Sequence, residues 1–122
     1  MKLKVLNANL SVCKVKALGD ISAFGEYCLA AVTDEEISLV CKTERVPRET
    51  TAREDGWRGF RIEGELDFSL IGILAKISGI LAENKIGIFA VSTYNTDYIL
   101  TKEENFERAL SALGSAGYEI ER

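Results

Sequence analysis

Apolar and polar residues alternate from Trp57 to Leu66. Phe60, Ile62 and, past Gly64, Leu66 fall on one side, with Arg61, Glu63 and Glu65 on the other. That two-residue period predicts a half-buried strand. Asp67-Phe68-Ser69 breaks the pattern, and Asp67 or Ser69 can cap a helix by accepting from its free first-turn amides. The period then lengthens: Leu70, Ile73, Leu74, Ile77, Ile80 and Leu81 recur at helical spacing, and Asn84 and Gly87 supply stop signals. Ile88 to Thr93 reads as a strand, Tyr94-Asn95-Thr96 as a turn and Asp97 to Leu100 as the return strand of a hairpin. Thr101 and Glu104 have capping-box spacing before a second helix whose inner face is Phe106, Ala109, Leu110 and Leu113. Gly114 and Gly117 end that helix, and Tyr118 to Ile120 is a last strand. The order β-α-β-β-α-β is the ferredoxin-like plan.

The first half is richer in strand pattern. Leu3–Leu6, Leu10–Val15, Tyr27–Val32 and Ile37–Cys41 read as strands, and Leu18–Phe24 holds one short helical turn at most. Asp34-Glu35 turns a hairpin that echoes the later one. Leu29-Ala30-Ala31-Val32-Thr33 compares with Ile88-Phe89-Ala90-Val91-Ser92, and Ile37-Ser38-Leu39-Val40 with Tyr98-Ile99-Leu100-Thr101. The echo suggests a duplication whose first copy lost its helices. The polar run Arg48–Gly56 follows the chain's single proline, Pro47, and reads as a connector. The expected fold class is α+β, with two fused ferredoxin-like units: a degenerate, β-rich unit over 1–48, a connector over 49–56 and a complete unit over 57–122.

Composition narrows the function. The 122 residues are 47% hydrophobic and 28% charged, and no run approaches the roughly 20 apolar residues of a membrane span. Met1-Lys2-Leu3-Lys4 opens directly into strand pattern with no apolar signal segment behind it, so a cytoplasmic protein is expected. The net charge of −4, with cations scattered, lacks the basic excess that phosphate neutralisation demands of a nucleic-acid binder. Arg58-Gly59-Phe60 echoes the main motif of RNA-recognition modules but sits on the wrong strand, and Tyr98-Ile99-Leu100 lacks the stacking aromatics.

Histidine is absent, which removes Ser-His and Cys-His catalysis and histidine metal ligation. Neither the phosphate-loop nor the dinucleotide signature occurs. The expectation is a non-enzymatic chain without metal or cofactor. Cys13, Cys28 and Cys41, an odd set without close spacing, read as small buried hydrophobes.

Residues 57 onward resemble the ACT domain family. More narrowly, Leu66-Asp67-Phe68-Ser69-Leu70-Ile71-Gly72-Ile73-Leu74 and Ser92-Thr93-Tyr94-Asn95-Thr96-Asp97-Tyr98-Ile99-Leu100 resemble short bacterial and archaeal ACT proteins. That subfamily is in turn similar to the cytosolic arginine sensors of animal growth control. Ile37–Cys41 followed by Val46-Pro47 resembles the subfamily's degenerate first unit, so the likeness covers nearly the whole chain.

The resemblance implies a regulatory module. It would bind an amino acid or similar metabolite at an interface between units or chains, near the first strand-to-helix loop and along the second strand. In those sensors an aspartate of a Ser-Thr-aromatic-x-x-Asp motif contributes to recognition, and its match is Asp97. The sensors carry four units against about two here, so a shared site implies a homodimer.

The ligand chemistry follows from the residues. A carboxylate suits free amides at a helix N-terminus, offered by Asp67, Phe68, Ser69, Leu70, Ile71 and Gly72. An ammonium suits Asp97 with the hydroxyls of Ser92, Thr93 and Thr96, and Ile88 and Tyr94 flank them on the second strand and its turn. Each also has a structural reading: Asp67 as a cap, Gly72 for close packing, Asp97 as a turn residue, Ser92 and Thr93 as strand residues, Phe68 and Tyr94 as packing groups. Trp57 reads as an anchor, and Lys76 and Lys85 as a solvated helix face. The alternative function is a protein-interaction or dimerisation module with no small-molecule ligand.

Overall fold

A computed structural model describes residues 1–21, 25–64 and 71–122. Strands β1 (Lys2–Val15), β2 (Leu29–Val32), β3 (Ile37–Lys42) and β4 (Ala52–Ile62) precede helix α1 (Ile73–Glu83). Strands β5 (Phe89–Ser92) and β6 (Asp97–Lys102), helix α2 (Glu103–Ser115) and β7 (Glu119–Glu121) follow. The chain divides into two compact units, one of Met1–Asn7 with Arg58–Arg122, the other of Ala8–Trp57. The fold is α+β and ferredoxin-like, with more strand than helix.

The first unit is the βαββαβ read from the sequence, with one addition. Its strands run β7-β1-β4-β6-β5. The opening residues of β1 lie in parallel register with β7, Leu3 facing Ile120. Backbone bonds flank this segment on both sides: Glu63 N donates to Lys2 O at 2.9 Å, and Glu119 N donates to Met1 O at 3.0 Å. Leu3 and Val5 are buried in one core with Phe60, Ile62, Ile77, Leu81, Ile99 and Phe106. The boundary at residue 57 therefore leaves out a strand that this core uses. Gly59 is needed where β4 passes β6, because a Cβ there would stand 3.2 Å from Ile99 O.

Both helices bury the faces that periodicity assigned. Ile77 and Leu81 of α1 are buried, as are Phe106, Ala109, Leu110 and Leu113 of α2. The helix starts differ. The capping box of Thr101 and Glu104 does not form: the cap position of α2 is Lys102 without a side-chain bond, and Thr101 Oγ1 donates to Lys102 O at 3.1 Å. The cap position of α1 is Gly72, at φ 82°. Asp67 and Ser69, expected there, lie outside the described residues.

The second unit has strand order β4-β1-β3-β2. That is the order of the ferredoxin-like sheet, and a 3-10 turn stands where each helix would be, at Leu18–Asp20 and Thr43–Arg45. The segments between β1 and β2 and between β3 and β4 are too short for helices the length of α1 and α2 with their connecting loops. Cys13, Val15, Ile21, Leu39 and Cys41 form its core. The connector expected over 49–56 is strand from Ala52 onward, and Thr51 N donates to Lys14 O at 2.8 Å. Buried Ser11 ties the elements together: its hydroxyl pairs with Thr43 Oγ1 at 2.9 Å and donates to Asp55 Oδ1 at 2.5 Å.

The hairpins of the two units are built alike. Thr33 and Thr93 each close the turn from backbone N and side-chain Oγ1, onto the carbonyls of Glu36 and Thr96. Phe89 faces Leu100 as Leu29 faces Val40, so Leu29 corresponds to Phe89 rather than to Ile88. The echo shifts by one residue.

Candidate functional site

The polar residues singled out on β5 and β6 converge at the tip of their hairpin. Ser92 and Asp97 are the last facing pair of the ladder. Ser92 Oγ donates to Asp97 Oδ1 at 2.5 Å. One carboxylate oxygen is thereby oriented, and a carboxylate has further acceptor positions for a cationic group. The turn beyond is closed by Thr93 N donating to Thr96 O at 2.8 Å and Thr93 Oγ1 donating to the same oxygen at 3.0 Å.

Thr96 fixes where this tip sits. It is only 6% exposed, and its Oγ1 donates to Ile62 O at 2.7 Å. Ile62 is the last residue of β4, from which the chain leaves toward α1. The hydroxyl offered as a ligand group thus spends its proton on the fold, holding the hairpin tip of Ser92 and Asp97 to the end of β4. Thr96→Val removes this bond from a buried site, at an expected cost of about 0.5–1.5 kcal/mol. A denaturant midpoint measures it; a change within about 0.5 kcal/mol would mean that the bond holds nothing in place.

The remaining candidates divide. Asp67, Phe68, Ser69 and Leu70 lie outside the described residues. Ile71 is 95% exposed, and Gly72 begins α1 with its carbonyl accepting from Lys76 N at 2.9 Å. Tyr94 is exposed at the turn. Ile88 packs against the first unit's core and serves the fold.

A cleft of about 290 Å³ opens at the start of α1, lined by Met1, Ile71, Gly72, Ile73, Lys76 and Tyr118 among others. Burial pushes the Tyr118 phenol above its ordinary pKa. Sequence reasoning missed Met1 and Tyr118 and gave Lys76 to a solvated face. The parallel pairing of β1 with β7 sets Met1 beside Tyr118, and no local pattern announces such a pairing. Among the described residues no group of three or more histidine, cysteine or acidic side chains is placed to hold a metal, and no helix is long and apolar enough to cross a membrane.

Residues 52–115 match the family described as ACT domain, from β4 through α2. The chain belongs to the ACT domain family. Solved structures agree on the fold of this ACT chain. A protein of Agobacterium tumefaciens is 30% identical with a TM-score of 0.87, over 98% of this chain and 90% of that one. A Vibrio cholerae protein described as of unknown function and a possible transport protein is 21% identical at TM-score 0.71, over 93% and 88%. The regulatory subunit of aspartate kinase from Thermus thermophilus, in its ligand-free form, is 13% identical at TM-score 0.67, over 96% and 97%.

Proposed function

We propose that this ACT chain is a regulatory, non-catalytic module that binds a free amino acid or a similar small zwitterion through the tip of the β5–β6 hairpin. The observation that carries the reading is the Ser92–Asp97 pair, a carboxylate with one oxygen held by a hydroxyl, fixed by Thr96 at the end of β4. The ligand ammonium, or a cationic side chain, pairs with Asp97. The ligand carboxylate takes backbone amides at the approach to α1, where Gly72 leaves room for close contact.

Membership of the ACT family and the fold shared with an aspartate kinase regulatory subunit support regulation over catalysis. The arginine sensors differ in the residues around the aspartate that Asp97 matches, so arginine is not singled out and the ligand panel spans all amino acids. A homodimer, cytoplasmic, completes the proposal; sedimentation as a monomer at micromolar concentration would remove the dimer.

The test is a thermal-shift screen against the twenty amino acids at millimolar concentration. A ligand that binds only the folded state, present at a hundred times its Kd, stabilises by about 2.7 kcal/mol. The expected result is a rise confined to one amino acid or a chemically related few. A flat panel would favour an interaction module without a metabolite.

A further inference from the structure

Met1, Ile71 and Tyr94 are the large hydrophobic side chains that stand exposed among the first unit's described residues, and two of them, Met1 and Ile71, line the cleft at the start of α1. We propose that this cleft takes an aliphatic carboxylate, so that the ligand is an amino acid with an aliphatic side chain such as valine, leucine, isoleucine or methionine. The inference rests on the amino-acid reading above and narrows it to one class.

The lining excludes the other classes. Ile71, Ile73, Ala116 and the Met1 side chain give it apolar walls, and Lys76 is the one charged side chain among the described residues that line it. No acidic side chain is present there to answer a ligand's guanidinium or second ammonium. A polar ligand side chain would exchange its water for isoleucine, at a net cost, whereas an aliphatic one gains by leaving water.

The cation selects the other end of the ligand. Among the described residues Lys76 makes no ion pair and the Tyr118 hydroxyl no hydrogen bond, so both have donors left for a carboxylate. The first turn of α1 carries no acidic side chain, so nothing in the helix competes for Lys76 from that turn. One lysine answers one carboxylate. The second carboxylate of an acidic amino acid would be left against Ile71 and Ile73. Size agrees, because about 290 Å³ lies at the small end of ligand pockets, which run from roughly 300 to 1,000 Å³.

The experiment measures thermal shifts of the full chain with valine, leucine, isoleucine and methionine, with glutamate, lysine and serine as contrasts, and with isovalerate, which is valine without its amino group. The expected result is a rise with one or more of the aliphatic amino acids and with none of the contrasts. Lys76→Gln should raise the Kd by roughly ten- to a hundred-fold, with Lys76→Arg restoring most of it. Ile71→Ser should raise the Kd by roughly ten-fold. Both positions are exposed, so the variants' own unfolding midpoints should stay near that of the wild type. A rise with glutamate, lysine or serine alone would overturn the inference and leave the amino-acid reading standing. A rise with isovalerate and with no amino acid would overturn the amino-acid reading and support the aliphatic-carboxylate cleft. An aliphatic response unchanged in both Lys76→Gln and Ile71→Ser would overturn the cleft, and silence from every compound would overturn both.

Discussion

Phe106→Ala is expected to destabilise the chain by about 3–5 kcal/mol, the range for emptying an aromatic site in a packed core. Phe106 is 1% exposed on the inner face of α2, in the cluster that joins both helices to β1, β4 and β6 of the first unit. The Arg58 guanidinium lies over its ring, 4.8 Å from the centroid, so the substitution also removes a cation–π contact. Single domains have about 5–15 kcal/mol in all, so the variant should sit near the limit of folding. Denaturant titration measures the change. Leu18→Ala, at a side chain 54% exposed, should stay within about 0.5 kcal/mol under the same conditions. A small effect of Phe106→Ala would mean that the first unit's core is not organised around α2.

Asp97→Asn is expected to weaken binding of the responding amino acid by about ten- to hundred-fold. A hydrogen bond to a charged group contributes about 1.5–3 kcal/mol, and each 1.4 kcal/mol is a factor of ten in Kd. The amide keeps the shape and can still accept from Ser92, so folding stability should change little while the charge is lost. Ser92→Ala should weaken binding less, because it frees the carboxylate to rotate without removing it. Unchanged affinity in Asp97→Asn would move the site away from this hairpin.

How much was legible in the sequence depended on whether side chains or backbone decided the matter. The faces of α1 and α2 were readable because core residues must repeat with the helix, and Phe106, Ala109, Leu110 and Leu113 did so. The hairpin carrying Ser92 and Asp97 was readable as two strands about a turn, whereas the pairing of these two among the hydroxyls offered beside Asp97 needed the strand register. The stretch 49–56 misled because Ala52 to Asp55 are exposed. A strand with no buried face carries no alternation, and its backbone bonds leave no mark on the sequence. The role of Leu3 and Val5 in the first unit's core was hidden because parallel pairing joins segments from opposite ends of the chain. Thr101 misled in another way: it has a capping residue's chemistry, but it belongs to β6, and α2 begins beyond it. The hydroxyl of Thr96 had the right chemistry for a ligand, and a carbonyl of β4, distant in sequence, had first claim on its proton.

The most direct test is an amide-resolved NMR titration of the isotope-labelled chain with the amino acid that raises its melting temperature. Saturable shifts are expected at Ser92 to Asp97 and at the start of α1, lost in Asp97→Asn. Shifts concentrated in residues 8–57, or none with any amino acid at millimolar concentration, would contradict that expectation.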